Sequence, residues 1–121
     1  MTDNPGSPID QQVLAGLEAD TSRDLIPELI GIFLKTADER ASQIHSSLKT
    51  GSLEQVAAEA HALKSSSATF GATEVRRISA DLEIAGKNND HAGAAQLSDA
   101  LTGALEEARQ ALADYISNIP D

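Results

Sequence analysis

Apolar residues recur every three or four positions along nearly the whole chain. No segment alternates between apolar and polar residues long enough to indicate a strand, so the spacing predicts an all-α protein. The first predicted helix covers residues 10–18, where Val13, Leu14 and Leu17 share one face. We expect this short helix to act as a lid on a larger helical body.

The second predicted helix begins near Ser22 or Asp24 and ends near Lys49. Pro27 fits the first turn of a helix, where backbone amides lack partners inside the helix, and its position favours Asp24 as the N-cap. The residues expected to face inward are Ile26, Ile30, Phe33, Ala37, Ile44 and Leu48.

Turn and cap signals delimit the third helix. Thr50-Gly51 closes the second helix, and Ser52 with Gln55 matches a capping box, in which two side chains satisfy unpaired amides reciprocally. Gly71 stands where a left-handed residue is needed, so the third helix is expected over residues 53–70. Its inner stripe consists of Leu53, Val56, Ala60, Leu63, Ser67 and Phe70.

The last two helices follow from the same kinds of signal. Thr73 can cap a fourth helix, which Lys87-Asn88-Asn89 ends, and Asp90 can cap a fifth helix that continues towards Pro120. Because the connections are only a few residues long, neighbouring helices must run antiparallel, which predicts an up-down-up-down four-helix bundle. The inner positions are Val75, Ile78, Leu82, Ala85, Leu97, Leu101, Leu105, Ala108, Leu112, Ile116 and Ile119.

Composition and charge exclude several classes of protein. A chain of 121 residues with 40% apolar residues suits a single domain, expected over residues 1–121 with a flexible tail at 1–8. A formal net charge of −10 disfavours nucleic acid and anionic lipid as partners. The chain has no cysteine, no export signal and no apolar run that could span a membrane, so we expect a cytoplasmic protein. Few aromatic residues disfavour a buried small-molecule pocket.

His61 is the main candidate for chemistry. At about 100° per residue it lies roughly 130° from the centre of the apolar stripe of its helix, so its imidazole is expected to point into solvent. An uncharged imidazole can accept a phosphoryl group without an activating base, and Lys64 can add positive charge next to the bound anion. A solvated histidine without function is the alternative. The residues expected to share its face are small: Ala57, Ala58, Ser65 and Ala68.

Ala-His-Ala-Leu-Lys-Ser-Ser-Ser at residues 60–67, followed by Phe70-Gly71-Ala72 and Leu82-Glu83, resembles the signature of histidine-containing phosphotransfer (HPt) domains of bacterial multistep phosphorelays. The resemblance covers about residues 24–116 and is specific over 60–83. It implies that His61 takes a phosphoryl group from one receiver aspartate and passes it to another, without kinase activity of its own. It also implies a monomer that binds receiver domains of a hybrid sensor kinase and a response regulator. No cofactor is expected, since magnesium belongs to the receiver.

Two neighbours of His61 leave alternatives open. Ser65 stands where most family members have glycine, and its hydroxyl either adds bulk beside the histidine or orients the ring through a hydrogen bond. Glu83 is level with His61 in an antiparallel helix pair, either as a partner that steers the ring or as an ordinary exposed glutamate. The serine and the Phe70-Gly71 segment also resemble quorum-sensing phosphotransfer proteins of the LuxU type.

Other functions are less well supported by the sequence. An adaptor that binds receivers without carrying phosphate would keep the same bundle. The phosphoacceptor segment of a histidine kinase is disfavoured because Ala62 replaces an acidic residue and Ser65-Ser66 occupies the usual place of a proline. His45 and His91 share no ligand spacing with His61, which argues against a metal site. Met1 and the complete helix set favour a free-standing protein.

Overall fold

The computed structural model describes residues 7–119. The helices in this range are α1 (Gln11–Asp20), a 3-10 turn (Arg23–Leu25), α2 (Ile26–Thr50), α3 (Leu53–Thr69), α4 (Thr73–Lys87) and α5 (His91–Ser117). α2 and α4 each pack against both α3 and α5, so the four long helices close into a bundle. The predicted all-α four-helix bundle is confirmed. Most of the predicted tail and Pro120 lie outside the described residues.

The predicted apolar inner positions of the four long helices belong to one continuous core, and the predicted inner Ser67 is also buried. All six inward residues of α2 are at most 9% exposed. Phe33 stacks on Phe70 with ring centroids 4.8 Å apart, which joins α2 to the end of α3. Each fully buried leucine or isoleucine stabilises the fold by about 2 kcal/mol, so apolar packing holds the bundle together. None of the helices in the described part of the chain has the length and apolar character of a membrane span.

The start of α2 differs from the prediction, and that of α5 agrees with it. Asp24 does not cap α2, because it lies inside the 3-10 turn, where the amide of Leu25 donates to the carbonyl of Ser22 at 2.9 Å. α2 therefore continues directly from the 3-10 turn and does not begin at an aspartate cap. Asp90 does cap α5, since its carboxylate accepts from the amide of Gly93 at 3.0 Å.

Two further predicted caps are wrong, and in each of them a side chain makes a different contact. Ser52 precedes α3 but makes no capping bond, and the Gln55 amide donates instead to Glu59 at 2.9 Å, one turn along α3. Thr73 is the first residue of α4, and its hydroxyl donates to the carbonyl of Ser7 at 3.2 Å. Gln55 and Thr73 thus contact other residues, and neither the predicted capping box nor the threonine cap forms.

Gly71 ends α3 and also receives the start of α1. Its φ of +68° is the predicted left-handed conformation, and its carbonyl accepts from the Asp10 amide at 2.7 Å. A Cβ at position 71 would lie 2.8 Å from the carbonyl oxygen of Asp10, so the close approach requires glycine. Farther along α1, Leu14 is fully buried and Glu18 accepts a hydrogen bond from Tyr115 of α5. α1 thus covers one end of the bundle, as the predicted lid.

Candidate functional site

His61 lies midway along α3 on the exposed side, where 62% of its side chain is exposed. Its neighbours Ala60 and Leu63 are fully buried, so the phase of the apolar stripe directs the imidazole outward. Side chains of a helix lean towards its N-terminus, and the ring accordingly borders a groove between α3 and α4. The groove has a volume of about 620 Å³ and is lined by Glu54, Ala57, Ala58, His61, Glu83, Gly86, Lys87 and Asn89.

Glu83 of α4 is buried beside His61 and contacts three side chains of the groove region. Its side chain is only 9% exposed, and Oε2 lies 3.0 Å from His61 Nδ1 and 3.0 Å from Lys87 Nζ. Oε1 lies 2.7 Å from Lys64 Nζ. Hydrogen bonds from Lys64 and Lys87, with a smaller one from His61, hold the pKa of Glu83 at about 2, although burial opposes ionisation. Glu83 is therefore a paired, ionised carboxylate and not an ordinary exposed glutamate.

The ionised carboxylate determines which ring nitrogen of His61 carries the proton. A carboxylate only accepts hydrogen bonds, so Nδ1 must donate to Glu83 Oε2. In the neutral ring the lone pair then belongs to Nε2, on the far side of the ring from Glu83. The contact thus orients the ring and leaves the lone pair of Nε2 unused by Glu83.

In the structure, the hydrogen bond of the His61 ring is made with α4. Among the described residues, the ring of His61 bonds to Glu83, while Ser65 is exposed one helical turn farther along α3. Side chains of α3 lean towards its N-terminus, away from Ser65. Both alternatives for Ser65, orientation of the ring and added bulk, stay predictions.

The small residues around His61 do not form one open surface. Ala58 is exposed, whereas Ala57 is only 8% exposed although it lines the groove, and the assignment of Ala57, Ala58 and Ala68 to receiver docking stays a prediction. Ala57 is covered because Gly86 of α4 packs against it, and a Cβ on Gly86 would lie 3.0 Å from the Ala57 Cβ. Ala68 is exposed but lines a separate cavity beside Gly71. The groove therefore extends only from His61 towards the start of α3.

The family model of the Hpt domain matches residues 28–111, which contain α3, α4 and the whole groove. The chain belongs to the Hpt domain family. Membership places it among proteins that transfer phosphoryl groups through a histidine. The solved structure of histidine-containing phosphotransfer protein B (HptB) from Pseudomonas aeruginosa PAO1 is similar, with a TM-score of 0.87 and 22% identity over 95% of this chain and 99% of that one. That likeness supports the fold. No curated protein sequence matches the chain.

Two residues of the groove, Gly86 and Lys87, were not among the candidates from the sequence, where Lys87 marked only the end of a helix. Glu83 and Lys87 have the i,i+4 spacing at which opposite charges meet on a helix, which is a usable signal. Gly86 costs a helix about 1 kcal/mol relative to alanine, and such a glycine often marks a close helix contact. The quorum-sensing subtype stays a prediction.

The other two histidines of the Hpt domain lie outside the groove. The His45 ring lies 3.3 Å from the Ser98 hydroxyl, and His91 Nε2 lies 3.0 Å from the carbonyl of Leu48. Across residues 7–119, no three histidine, aspartate or glutamate side chains converge to hold a metal ion. The expectation that the domain uses no metal of its own stays a prediction.

Proposed function

We propose that this protein is a phosphocarrier of a multistep phosphorelay. His61 accepts a phosphoryl group from the aspartate of one receiver domain and passes it to the aspartate of a response regulator. One observation carries the proposal: Nδ1 of an exposed histidine donates to a buried, ionised Glu83, which leaves Nε2 free to attack. The partners are receiver domains of a hybrid sensor kinase and of a response regulator.

The transfer is a displacement at phosphorus. The Nε2 lone pair of neutral His61 attacks the aspartyl phosphate, an N–P bond forms as the P–O bond breaks, and the aspartate leaves as a carboxylate. The ring gains positive charge, which Glu83 stabilises through the Nδ1–H hydrogen bond. In the second transfer an aspartate oxygen attacks the phosphorus and the neutral ring leaves. No proton has to move, so His61 needs no activating base.

Lys64 stabilises the phosphoryl charge in this proposal. Its ammonium is held 2.7 Å from Glu83 Oε1, and a third of the side chain is exposed beside His61. Pairing with the buried carboxylate fixes the position of a long flexible side chain, so that little entropy is lost when an anion arrives. The chain carries no cofactor, and magnesium belongs to the receiver. We further propose that the protein acts as a cytoplasmic monomer.

The decisive test is phosphorylation of His61. Incubation with a panel of phosphorylated receiver domains is expected to place acid-labile, base-stable phosphate on the protein. His61→Gln should abolish the label, because an amide cannot form the phosphoramidate bond. His45→Gln is the matched control, since it removes an exposed histidine of α2 and should leave labelling unchanged. If no receiver labels the protein, or if the label survives His61→Gln, the phosphocarrier proposal is refuted. Receiver binding without label would indicate the adaptor.

A further inference from the structure

Lys87 stands at the rim of the groove, beside the histidine. Its ammonium lies 3.0 Å from Glu83 Oε2, the same oxygen atom that accepts the hydrogen bond from His61 Nδ1. Its side chain is 66% exposed, twice the exposed fraction of Lys64. A lysine with this much exposure on a flexible stem can turn to a new partner without disturbing the core.

The charges of the site show why one lysine is insufficient. Glu83 offsets the positive charge of Lys64, so without Lys87 only the positively charged ring faces a phosphoryl group with almost two negative charges. Lys87 adds a second net positive charge to the loaded site, on a protein whose formal net charge is −10. Glu54 also lines the groove but lies seven residues before His61, about 10 Å along the helix.

We propose that Lys87 is a second phosphoryl-binding residue. When His61 carries a phosphoryl group, Lys87 turns its ammonium from Glu83 Oε2 to the phosphoryl oxygens. Lys64 stays on Oε1, where its contact is shorter and its side chain more enclosed. This inference rests on the proposed function and adds a residue that binds the transferred group. It also explains how the buried Glu83 carboxylate is compatible with a phosphoryl group next to it. Lys64 remains paired with Glu83, and Lys87 pairs with the phosphoryl group.

The test loads His61 with phosphoramidate, a small phosphodonor that needs no receiver docking. The pKa of the phosphoryl group is then measured by phosphorus NMR. The half-life of the phosphohistidine is measured after the donor has been removed. Lys87→Gln is expected to raise the phosphoryl pKa and to shorten the half-life about three- to tenfold, because a loose transition state binds the cation less tightly than the dianion does. Lys87→Arg should restore both quantities.

Lys35→Gln is the matched control, since it removes the same charge from an exposed position on α2, outside the groove. Equal half-lives and equal phosphoryl pKa values in the Lys87→Gln and Lys35→Gln proteins would overturn the proposal. An effect that appears only with receivers would overturn it too, and would assign Lys87 to docking. A wild-type protein that takes no phosphoryl group from phosphoramidate or receivers refutes the proposed function itself, which is a distinguishable result.

Discussion

Glu83 shows how much one side chain determines at this site. A buried carboxylate without partners would take up a proton, and breaking a buried ion pair is strongly destabilising. Here His61, Lys64 and Lys87 all contact it, so it stays charged and fixes the geometry of three groups. The same contacts tie α3 to α4. The residue that orients the His61 ring is therefore also part of what holds the two helices together.

Glu83→Gln is expected to lower the free energy of unfolding at neutral pH, and its difference from wild type should shrink in acid. The pKa of Glu83 falls from 4.5 to about 2 on folding, so as the pH drops the unfolded chain takes up the proton first. The stabilisation is complete above about pH 4.5 and is lost as the pH approaches 2. Urea unfolding of the wild-type and Glu83→Gln proteins across this pH range measures the difference in free energy of unfolding. A difference that is constant, or that grows in acid, contradicts the ion-pair assignment.

The residues of the site differ in how far the sequence predicts them. Helix phase places His61 outward, and the spacing of Lys64 brings it to the same region. The sequence puts Glu83 level with His61, but whether its side chain reaches the ring depends on the distance between α3 and α4. That distance is set by Gly86, whose missing side chain lets the helices meet. Lys87 belongs to no recognised motif in the sequence, and it joins the site through its ion pair with Glu83.

At the scale of the elements, the buried stripes were predicted more reliably than the N-caps. A stripe averages the burial of many residues, so a single exception does not change the face that packs inward. A cap depends on one side chain, and a competing partner removes it. Gln55 donates to Glu59 at the i,i+4 spacing of the same helix, whereas Thr73 donates to Ser7, which is far away in the chain and not visible from local spacing. Asp90 had no such competitor and caps α5.

Gly71→Ala is expected to reduce the free energy of unfolding by about 2 kcal/mol or more, because Cβ would be strained at φ +68° and would meet the Asp10 backbone. Gly103→Ala is the matched control. Gly103 lies within α5 with open space around it, so alanine there should add about 0.5 to 1 kcal/mol. Urea unfolding at neutral pH compares the two variants. Equal effects of the two substitutions would show that the α1 contact does not constrain position 71.

At the scale of the whole molecule, α1 connects the first part of the chain to its last helix. Tyr115 of α5 donates a hydrogen bond to Glu18 of α1, and Glu18 also lies 3.6 Å from Arg23. Burial, with a further contribution from Glu18, raises the pKa of Tyr115 to about 12. The sequence predicted a lid from the apolar face of α1. It did not predict this contact, which joins residues far apart in the chain.

Tyr115→Phe is expected to lower the free energy of unfolding by about 1 kcal/mol at neutral pH. The folded pKa of Tyr115 lies above its ordinary value of 10, so its contribution is present below about pH 10 and is lost as the pH rises to about 12. The difference between the two proteins should therefore vanish over that interval. Tyrosinate absorbance follows the residue directly, because the chain has one tyrosine. A midpoint near pH 10 in the folded protein would contradict the buried contact.

Every residue that lines the groove comes from one continuous stretch, from Glu54 in α3 to Asn89 after α4. α2 and α5 support this helical hairpin from behind but contribute no side chain to the groove. The side chains of the proposed phosphoryl site are therefore encoded in one short stretch of the sequence, while α2 and α5 contribute the apolar stripes that support it. We expect substitutions on the exposed faces of α2 and α5 to leave the geometry of the groove unchanged.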